Sequence, residues 1–306
     1  MTKVVVFGEP MLEISQSGAQ AQLGFGGDTF NTAVYMARMG LAPHYITALG
    51  RDHHSDSLIA YAQAEGIQTQ SIIRHPNRLP GIYSIQTDDH GERSFCYWRD
   101  KSAARAFFQC EEAEPIMESA ANADLLYLSG ISLSILDSNG QTRLGTLARA
   151  VRARGGRVAF DPNYRPNGWV SRDAARRAME AMAPHCNLVL PTRGDEDALY
   201  GPQLPREHAA RWLGAGAGSV IMKCGKDGAI IFQHDMKPIA SPITASVDPT
   251  DTTGAGDSFN AGFLAALMRG RDVETACIAG HQLAHQVIQH HGAIIPRQDK
   301  DVTAFI

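Results

Sequence analysis

The stretch that decides the fold class of this chain reads Asp251-Thr252-Thr253-Gly254-Ala255-Gly256-Asp257-Ser258-Phe259. Small residues at 254–256 leave the backbone N–H groups of a tight turn accessible, and apolar residues at helical spacing follow from Phe259, which predicts an amphipathic helix. A turn of this kind binds a phosphate or a developing oxyanion, because free N–H groups and the helix dipole both favour negative charge. Asp257 beside it would repel a bound phosphate but could accept a proton from a hydroxyl that attacks phosphorus. A simple helix N-cap is the alternative for this aspartate.

The composition is that of an ordinary globular chain. Its 306 residues are 44% hydrophobic and 20% charged, enough for one large α/β domain or two smaller ones. A net charge of −4 without a long basic run argues against nucleic acid or a membrane surface as partner. The five cysteines show no CxxC pair and no zinc spacing, the first apolar run is too short for a signal peptide, and no run approaches the ~18 residues of a membrane span. We therefore expect a cytoplasmic protein.

Short apolar runs that alternate with helical patterns predict an α/β fold. The runs that suit buried strands lie at 4–7, 125–128, 158–160, 188–190 and 220–222. The helical patterns lie near 31–39, 141–154, 172–182, 206–213 and 273–289. Strands that alternate with helices form βαβ units, so we expect a mostly parallel central sheet with helices on both faces.

One region breaks this alternation. Residues 81–87 and, less cleanly, 93–99 alternate apolar and polar side chains, with turn chemistry at 88–91 between them. The pattern predicts an antiparallel hairpin, which could serve as a lid over an active site. A peripheral hairpin that extends the main sheet is the alternative. We expect a single domain over 1–306, with a lid formed by segments near 12–25 and 80–100.

Chemically active side chains follow three of the predicted strands at the point where each strand ends. Ligands bind beyond the carboxyl ends of the strands in open α/β sheets, so these positions are candidates for a site. They are Asn163 and Arg165 after 158–160, Thr192 and Asp195 after 188–190, and Lys223 after 220–222. Each has a structural alternative: a β-turn at 161–163, a helix cap at 195–196, or a solvated position for the arginine and the lysine.

A second glycine-rich loop, which contains Gly26 and Gly27, leads into a helical pattern. Asp28 and Asn31 follow it, and their short polar side chains accept or donate hydrogen bonds. Such side chains on a rigid backbone recognise the hydroxyl groups of a sugar, so the loop predicts a polyol site. A capped helix without a ligand is the alternative.

Together these segments resemble the PfkB-type, or ribokinase-like, carbohydrate kinases over essentially the whole chain. Residues 26–33 resemble the N-terminal signature of that family, and residues 251–259 closely resemble its C-terminal signature. The resemblance implies a ribokinase-like fold with a small β lid, and phosphorylation of a sugar hydroxyl by ATP with Mg²⁺. It implies Asp257 as the catalytic base and the N–H groups of Gly254, Ala255 and Gly256 as an anion hole. The positions implied for the nucleotide are Asn163, Thr192, Lys223, Gly225, Gly228, Gly254 and Gly256.

Within the family, segments at 24–29, 97–99, 128–133, 161–166 and 292–297 resemble the 2-keto-3-deoxygluconate kinases. The resemblance implies that sugar acid as substrate and its 6-phosphate as product. The residues expected at the sugar are Gly26, Gly27, Asp28, Asn31, Tyr97, Arg99 and Arg165. Two arginines suit a carboxylate, because a guanidinium group binds it through paired hydrogen bonds, although Arg99 could also be a surface charge of the lid.

Three other functions stay open at this point. They are a kinase for a neutral sugar such as fructose or ribose, a non-catalytic sugar-binding protein, and a nucleoside or vitamin kinase. The presence of Asp257 and of the glycines disfavours the second. Charged side chains at the sugar end disfavour the third.

One segment departs from the family pattern. Many members carry Asn-x-x-Glu, linked to magnesium, where this chain has Thr192 and Asp195, so Asp195 is the candidate metal-linked residue. The loop 251–253 often helps relatives to bind a monovalent cation such as K⁺, and the sequence leaves that requirement open, as it does the epimer preference. The lid is the expected contact if the chain forms a homo-oligomer.

Overall fold

The computed structural model of the chain describes residues 2–17, 20–87, 93–243 and 247–297. The strands are β1 (Val4–Phe7), β2 (Met11–Ser17), β3 (Gln20–Gly26), β4 (His44–Leu49), β5 (Ile72–Arg74), β6 (Gly81–Thr87), β7 (Arg93–Trp98), β8 (Leu125–Ser129), β9 (Arg157–Asp161), β10 (Leu188–Val189), β11 (Ser219–Lys223), β12 (Ala229–Gln233) and β13 (Ile239–Ser241). The helices are α1 (Asp28–Arg38), α2 (His53–Ala64), α3 (Ala113–Ala120), α4 (Gly130–Ser134), α5 (Ser138–Ala153), α6 (Arg172–Met182), α7 (Arg193–Tyr200), α8 (Pro205–Gly214), α9 (Ala255–Met268) and α10 (Val273–Val287). Short 3₁₀ helices lie at Ala104–Gln109, Pro166–Gly168, Ala183–His185 and Gly225–Asp227.

A large sheet forms the centre of the molecule, in the order β13-β12-β11-β10-β9-β8-β1-β4-β5. The strands from β11 to β5 pair in parallel, and β12 and β13 run antiparallel at one edge. All of β1 is buried, because helices cover both faces of a parallel sheet. The predicted α/β fold with a mostly parallel central sheet is confirmed.

A separate small sheet has the order β3-β2-β6-β7. β6 and β7 pair antiparallel with Tyr83 opposite Tyr97, so the predicted hairpin is confirmed and does not extend the main sheet. The turn predicted at 88–91 lies outside the described residues. β2 pairs with β6 in parallel and joins this hairpin to that of β2 and β3. The small sheet is the expected lid, whereas the single domain over 1–306 stays a prediction.

The predicted strands and helices overlap the observed ones, but several elements have no counterpart in the sequence pattern. β4 reads HYITAL, which mixes polar and apolar residues although nearly all of it is buried. β5 has three residues, too few to show a period. Neighbouring strands complete these elements, so local patterning carries little signal for them.

Helix α9 runs through the interior rather than along the surface. Its residues from Ser258 to Leu267 are all buried, so it is enclosed on all sides and not amphipathic as the spacing predicted. Gly262 allows α10 to approach, since a Cβ there would lie 2.7 Å from the carbonyl oxygen of Ala279. In the residues described, no helix has the length and apolar character needed to cross a bilayer.

Candidate active site

A cleft of about 1210 Å³ is lined by residues from both sheets. Tyr83, Tyr97 and Arg99 contribute from the small sheet, and the loops after the main-sheet strands contribute from the other side together with the first turn of α9. Pockets for a single small molecule measure roughly 300–1,000 Å³, so this cleft has room for two ligands side by side.

Asp257 lies in the first turn of α9 and in the wall of the cleft. Its Oδ2 accepts a hydrogen bond from Asn31 Nδ2 at 2.9 Å. Burial, and after it the nearby charge of Asp28, raises the pKa of this carboxyl group to about 7. A base whose pKa lies near the working pH transfers protons efficiently, so Asp257 is suited to take a proton from a hydroxyl group in the cleft.

Two glycines of the cleft are required by its geometry. Gly254 precedes α9 with φ 75°, and a Cβ there would lie 2.8 Å from Cα of Ala293. Gly27 precedes α1 with φ 130°, and a Cβ there would lie 2.4 Å from the carbonyl oxygen of Glu9. Only glycine combines these dihedral angles with such close approach of another backbone.

The backbone amides at the start of α9 form a hollow that can hold an anion. The N–H of Ala255 is donated to the carbonyl oxygen of Thr252 at 3.2 Å. Among the described residues, the N–H groups of Gly254, Gly256 and Asp257 donate no hydrogen bond. These three amides are therefore available to a ligand, and the anion hole predicted at Gly254, Ala255 and Gly256 stays a prediction.

Residues predicted at the sugar and at the nucleotide form one connected polar surface. Asn163 Nδ2 donates to Asp28 Oδ2 at 2.9 Å, and the backbone N–H of Asn163 donates to Asp161 Oδ1 at 3.0 Å. Asn163 has φ 35°, a strained conformation of the kind that concentrates at ligand sites. Asn31 Oδ1 is buried without a hydrogen-bond partner in the described residues. A hydroxyl group of a ligand would satisfy this acceptor.

Both cleft arginines are paired with carboxylates. Arg99 Nη2 pairs with Oε2 of the buried Glu9. Arg165 Nη1 lies 2.9 Å from Asp195 Oδ1. A guanidinium group held by one carboxylate keeps further N–H donors, and Nε of Arg99 is buried without a partner among the described residues. The ring centre of Tyr97 lies 5.9 Å from the guanidinium carbon of Arg99 and supports its orientation.

Lys223 ends β11 next to the amide hollow. Its Nζ donates to Asp161 Oδ2 at 2.7 Å and to Asn260 Oδ1 at 3.1 Å. Asn260 Nδ2 donates to the same Asp161 oxygen at 2.6 Å, which closes a buried triangle. A Cβ built on Gly256 would lie 3.5 Å from Nζ, so the positive charge lies against the turn and favours an anion there.

Residues 1–300 match the pfkB family of carbohydrate kinases. This chain belongs to the pfkB family. It is 42% identical over 302 residues to the 2-dehydro-3-deoxygluconokinase of Escherichia coli K12, which covers 97% of this chain and 98% of the relative. It is 43% identical over 299 residues to the enzyme of the same name from Dickeya dadantii, with 96% of each chain covered. A fructokinase from Vibrio cholerae O395, solved with fructose, ADP and calcium, shares the fold with a TM-score of 0.83 at 21% identity, covering 96% of this chain and 95% of that one.

Most of the predicted site residues of this pfkB kinase lie in the one cleft. They are Gly27, Asp28, Asn31, Tyr97, Arg99, Asn163, Arg165, Thr192, Asp195, Lys223, Gly254, Ala255, Gly256 and Asp257. Gly26, Gly225 and Gly228 are not among the described lining residues. Gly26 instead lies under Tyr83, since a Cβ there would lie 2.2 Å from the tyrosine hydroxyl, and the other two flank the 3₁₀ turn after β11. The roles of all these residues stay predictions.

Three polar residues of the kinase site received no role in the sequence prediction. Asp161 is the last residue of β9 and Glu9 comes shortly after β1, so the strand-end rule was the available signal for both. Asn260 lies three residues after Asp257 on α9, a spacing that places both near one face of the helix. Their importance became visible only through their buried partners, Lys223 and Arg99.

Proposed function

We propose that this pfkB kinase transfers the terminal phosphoryl group of ATP to the terminal hydroxyl of 2-keto-3-deoxygluconate (2-dehydro-3-deoxygluconate), which forms the 6-phosphate. The observation that carries the proposal is the position of Asp257, with its raised pKa, beside free amides and in the same cleft as two arginines. Four relatives named 2-dehydro-3-deoxygluconokinase, 39–43% identical over nearly the full length, support the choice of substrate.

In the proposed reaction, Asp257 accepts the proton of the sugar hydroxyl as the oxygen–phosphorus bond forms. The amides of Gly254, Gly256 and Asp257 then stabilise negative charge on the transferring group, and Lys223 adds a fixed positive charge beside them. Transition states of phosphoryl transfer are loose, so positioning and electrostatics contribute more than the strength of the base. The small sheet on the other side of the cleft would exclude water and limit hydrolysis of ATP.

The donor groups of the cleft fit Mg²⁺ bound together with a nucleotide. Among the described residues, no cluster of three or more His, Cys, Asp or Glu side chains could hold a metal ion by itself. Mg²⁺ commonly takes one or two carboxylates and fills its remaining positions with phosphate oxygens and water, so Asp195 is a suitable protein ligand. The ion, when bound, would neutralise charge on the phosphates. Burial raises the pKa of Asp195. With the ion bound, Asp195 would either share its carboxylate between the ion and Arg165 or exchange its hydrogen bond to Arg165 for the contact with the ion.

The pH dependence of kcat/KM should report the ionisation of Asp257. Because only the ionised carboxylate accepts a proton, we expect kcat/KM to fall tenfold per pH unit below the pKa of about 7. The charge of Asp28 raises this pKa, so Asp28→Asn should move the acid limb to lower pH. Steady-state rates between about pH 5 and pH 9 measure this shift, because a full limb extends roughly two pH units on each side of the pKa. An acid limb that stays at the same pH, or moves to higher pH, in Asp28→Asn would contradict the assignment of this limb to Asp257.

The arginines should distinguish acidic from neutral sugars. Arg165→Ala removes a charge-assisted contact, which costs about 1.5–3 kcal/mol, or roughly 10- to 150-fold in kcat/KM, for a carboxylate substrate. We expect a much smaller loss for a neutral sugar. Arg99→Lys should act in the same direction, because lysine keeps the charge beside Glu9 but loses the planar fork. Arg193→Ala, at an exposed arginine outside the cleft lining, is the matched control, and equal losses on both sugar classes would refute a carboxylate role.

A panel of sugars tests the proposed function directly. ADP release is measured with 2-keto-3-deoxygluconate, its galactonate epimer, fructose and ribose as acceptors. We expect the sugar acids to give the highest kcat/KM. Higher kcat/KM with fructose or ribose would instead assign the chain to the neutral-sugar kinases. The same assay with and without K⁺ tests the cation requirement of the 251–253 loop.

We also propose that two copies pair through the small sheet in the cytoplasm. Leu23 and Trp98 leave large apolar side chains exposed on the face of this sheet that does not line the cleft, and β3 and β7 are its edges. Exposed apolar strands at a sheet edge favour pairing with another chain. Sedimentation of the wild type and of Trp98→Lys would test the contact, because a charge on this face should leave a monomer.

A further inference from the structure

A second cavity of about 540 Å³ lies between α5 and α6, which we call the α5–α6 groove. It shares no lining residue with the catalytic cleft in the part of the chain that the structure describes. Helix α4 separates the two, because Leu133 lines the groove whereas Ile131 and Ser134 line the cleft. The groove is therefore a distinct site, one short helix away from the proposed reaction.

The groove carries positive charge without a counter-charge. Arg149 of α5 and Arg177 of α6 line it, and no Asp or Glu is among its described lining residues. Helix α5 contains three arginines and no acidic residue, although the whole chain has a net charge of −4. In the described residues, neither Arg149 nor Arg177 forms an ion pair, whereas Arg143 and Arg176 on the same helices do.

His185 in the groove is subject to the same positive potential. Burial, followed by the charges of Arg149 and Arg152, lowers its pKa. Neighbouring arginines that disfavour the protonation of a histidine leave a local excess of positive charge. A bound anion would relieve that excess and would raise the pKa of His185 again.

A glycine keeps the groove open. Gly145 lies in the middle of α5, where glycine disfavours helix relative to alanine or leucine. Its backbone does not need glycine, since its φ is not positive. Close packing does not need it either, because the nearest atom to a Cβ there would be Cδ2 of His185 at 3.8 Å. The missing side chain therefore leaves space in the groove that the fold itself does not require.

We propose that the α5–α6 groove is a second ligand site, which binds the phosphate group of a small metabolite through Arg149 and Arg177. Arginine pairs well with phosphate oxygens through its planar fork. Leu133, Ala178 and Met182 on the lining offer an apolar surface to a short carbon skeleton. The volume lies within the range for small-molecule pockets, so the ligand is a small organic phosphate rather than a polymer.

Calorimetric titration of the full-length protein with glucose 6-phosphate and, separately, with inorganic phosphate tests this site. Binding of these phosphates in the catalytic cleft would persist in variants of the groove arginines, which separates the two sites. We expect saturable binding whose dissociation constant rises about tenfold or more in Arg149→Ala/Arg177→Ala. Tighter binding of glucose 6-phosphate than of inorganic phosphate assigns the apolar lining to the carbon skeleton of the ligand, and equal affinity assigns the site to free phosphate.

Two further variants separate the groove from general surface charge and from misfolding. Arg154→Ala/Arg157→Ala removes two exposed arginines outside the groove lining and should leave binding unchanged. Gly145→Leu fills the groove and should abolish binding, while its melting temperature stays equal to or above that of the wild type because leucine favours the helix. The imidazole signals of His185 should show a raised pKa with ligand in the wild type alone. Absence of saturable binding, an equal loss in both double variants, or unchanged binding in Gly145→Leu would each overturn the proposal.

Discussion

Replacing Asp257 by asparagine is expected to lower kcat by roughly 10²–10⁴ and to leave the fold and the KM for the sugar nearly unchanged. The amide has the shape of the carboxylate and can still accept the hydrogen bond from Asn31 Nδ2, so the geometry of the cleft is retained. It cannot take up a proton from the sugar hydroxyl. The loss therefore falls on the chemical step and not on binding.

The same variant should be at least as stable as the wild type. The pKa of Asp257 rises in the folded protein from 3.8 to about 7, so the fold favours the protonated form. Ionisation therefore costs stability progressively between these two values, and fully above pH 7, and a neutral amide removes that cost. Steady-state kinetics and thermal unfolding at pH 8 measure the two effects. Asp56→Asn, at an exposed aspartate of α2, is the matched control, and near wild-type turnover in Asp257→Asn would end the assignment of Asp257 as the base.

The buried Lys223–Asp161 pair gives the second large effect. Lys223→Met should lower the free energy of unfolding by about 3–5 kcal/mol, because it leaves the carboxylate of Asp161 buried without its counter-charge. Nζ lies 2.7 Å from Oδ2, and both side chains are less than a tenth exposed. Removing both charges in Lys223→Met/Asp161→Asn should restore most of the loss, since a neutral amide is far less costly to bury. A double-mutant cycle from urea denaturation measures this coupling.

An exposed pair provides the comparison. Arg74 and Asp56 also form an ion pair, but their side chains are 35% and 62% exposed. Breaking that pair with Asp56→Asn should change stability by no more than about 1 kcal/mol, because water screens the charges. Lys223→Met should also shift the acid limb of kcat/KM to higher pH, since the Lys223 charge lowers the pKa of Asp257. Equal losses of stability on breaking the Lys223–Asp161 pair and the Arg74–Asp56 pair would show that the buried triangle with Asn260 does not stabilise the fold.

The fold could be predicted from the sequence wherever local pattern and burial agree. The buried runs at β1, β8, β9 and β11 are continuous because helices cover both faces of the sheet. The alternation of apolar and polar side chains predicted the hairpin of β6 and β7. Helix α9 was recognised as a helix but not as a buried one, because its polar residues Ser258 and Asn260 resemble an exposed face until their partners are known.

The sequence predicts which residues form the candidate site but not which of them bond to one another. Strand ends and glycine turns identified Asp257, Lys223 and Arg165, and each of them lines the cleft. No pattern in the sequence could pair Lys223 with Asp161, since 62 residues separate them. The same holds for Asn31 and Asp257, which are 226 residues apart and share a hydrogen bond.

By itself, the sequence determined most of the central strands, the longer helices and the glycine turns, and the chemical groups at their ends, because these depend on neighbours a few residues away. The tertiary structure alone decided which N–H groups stay free, which charges neutralise each other, and that Asp257 has a pKa near neutrality. Those properties arise from burial and from charges brought together across the sheet, and their strength depends on distance in space rather than on position along the chain.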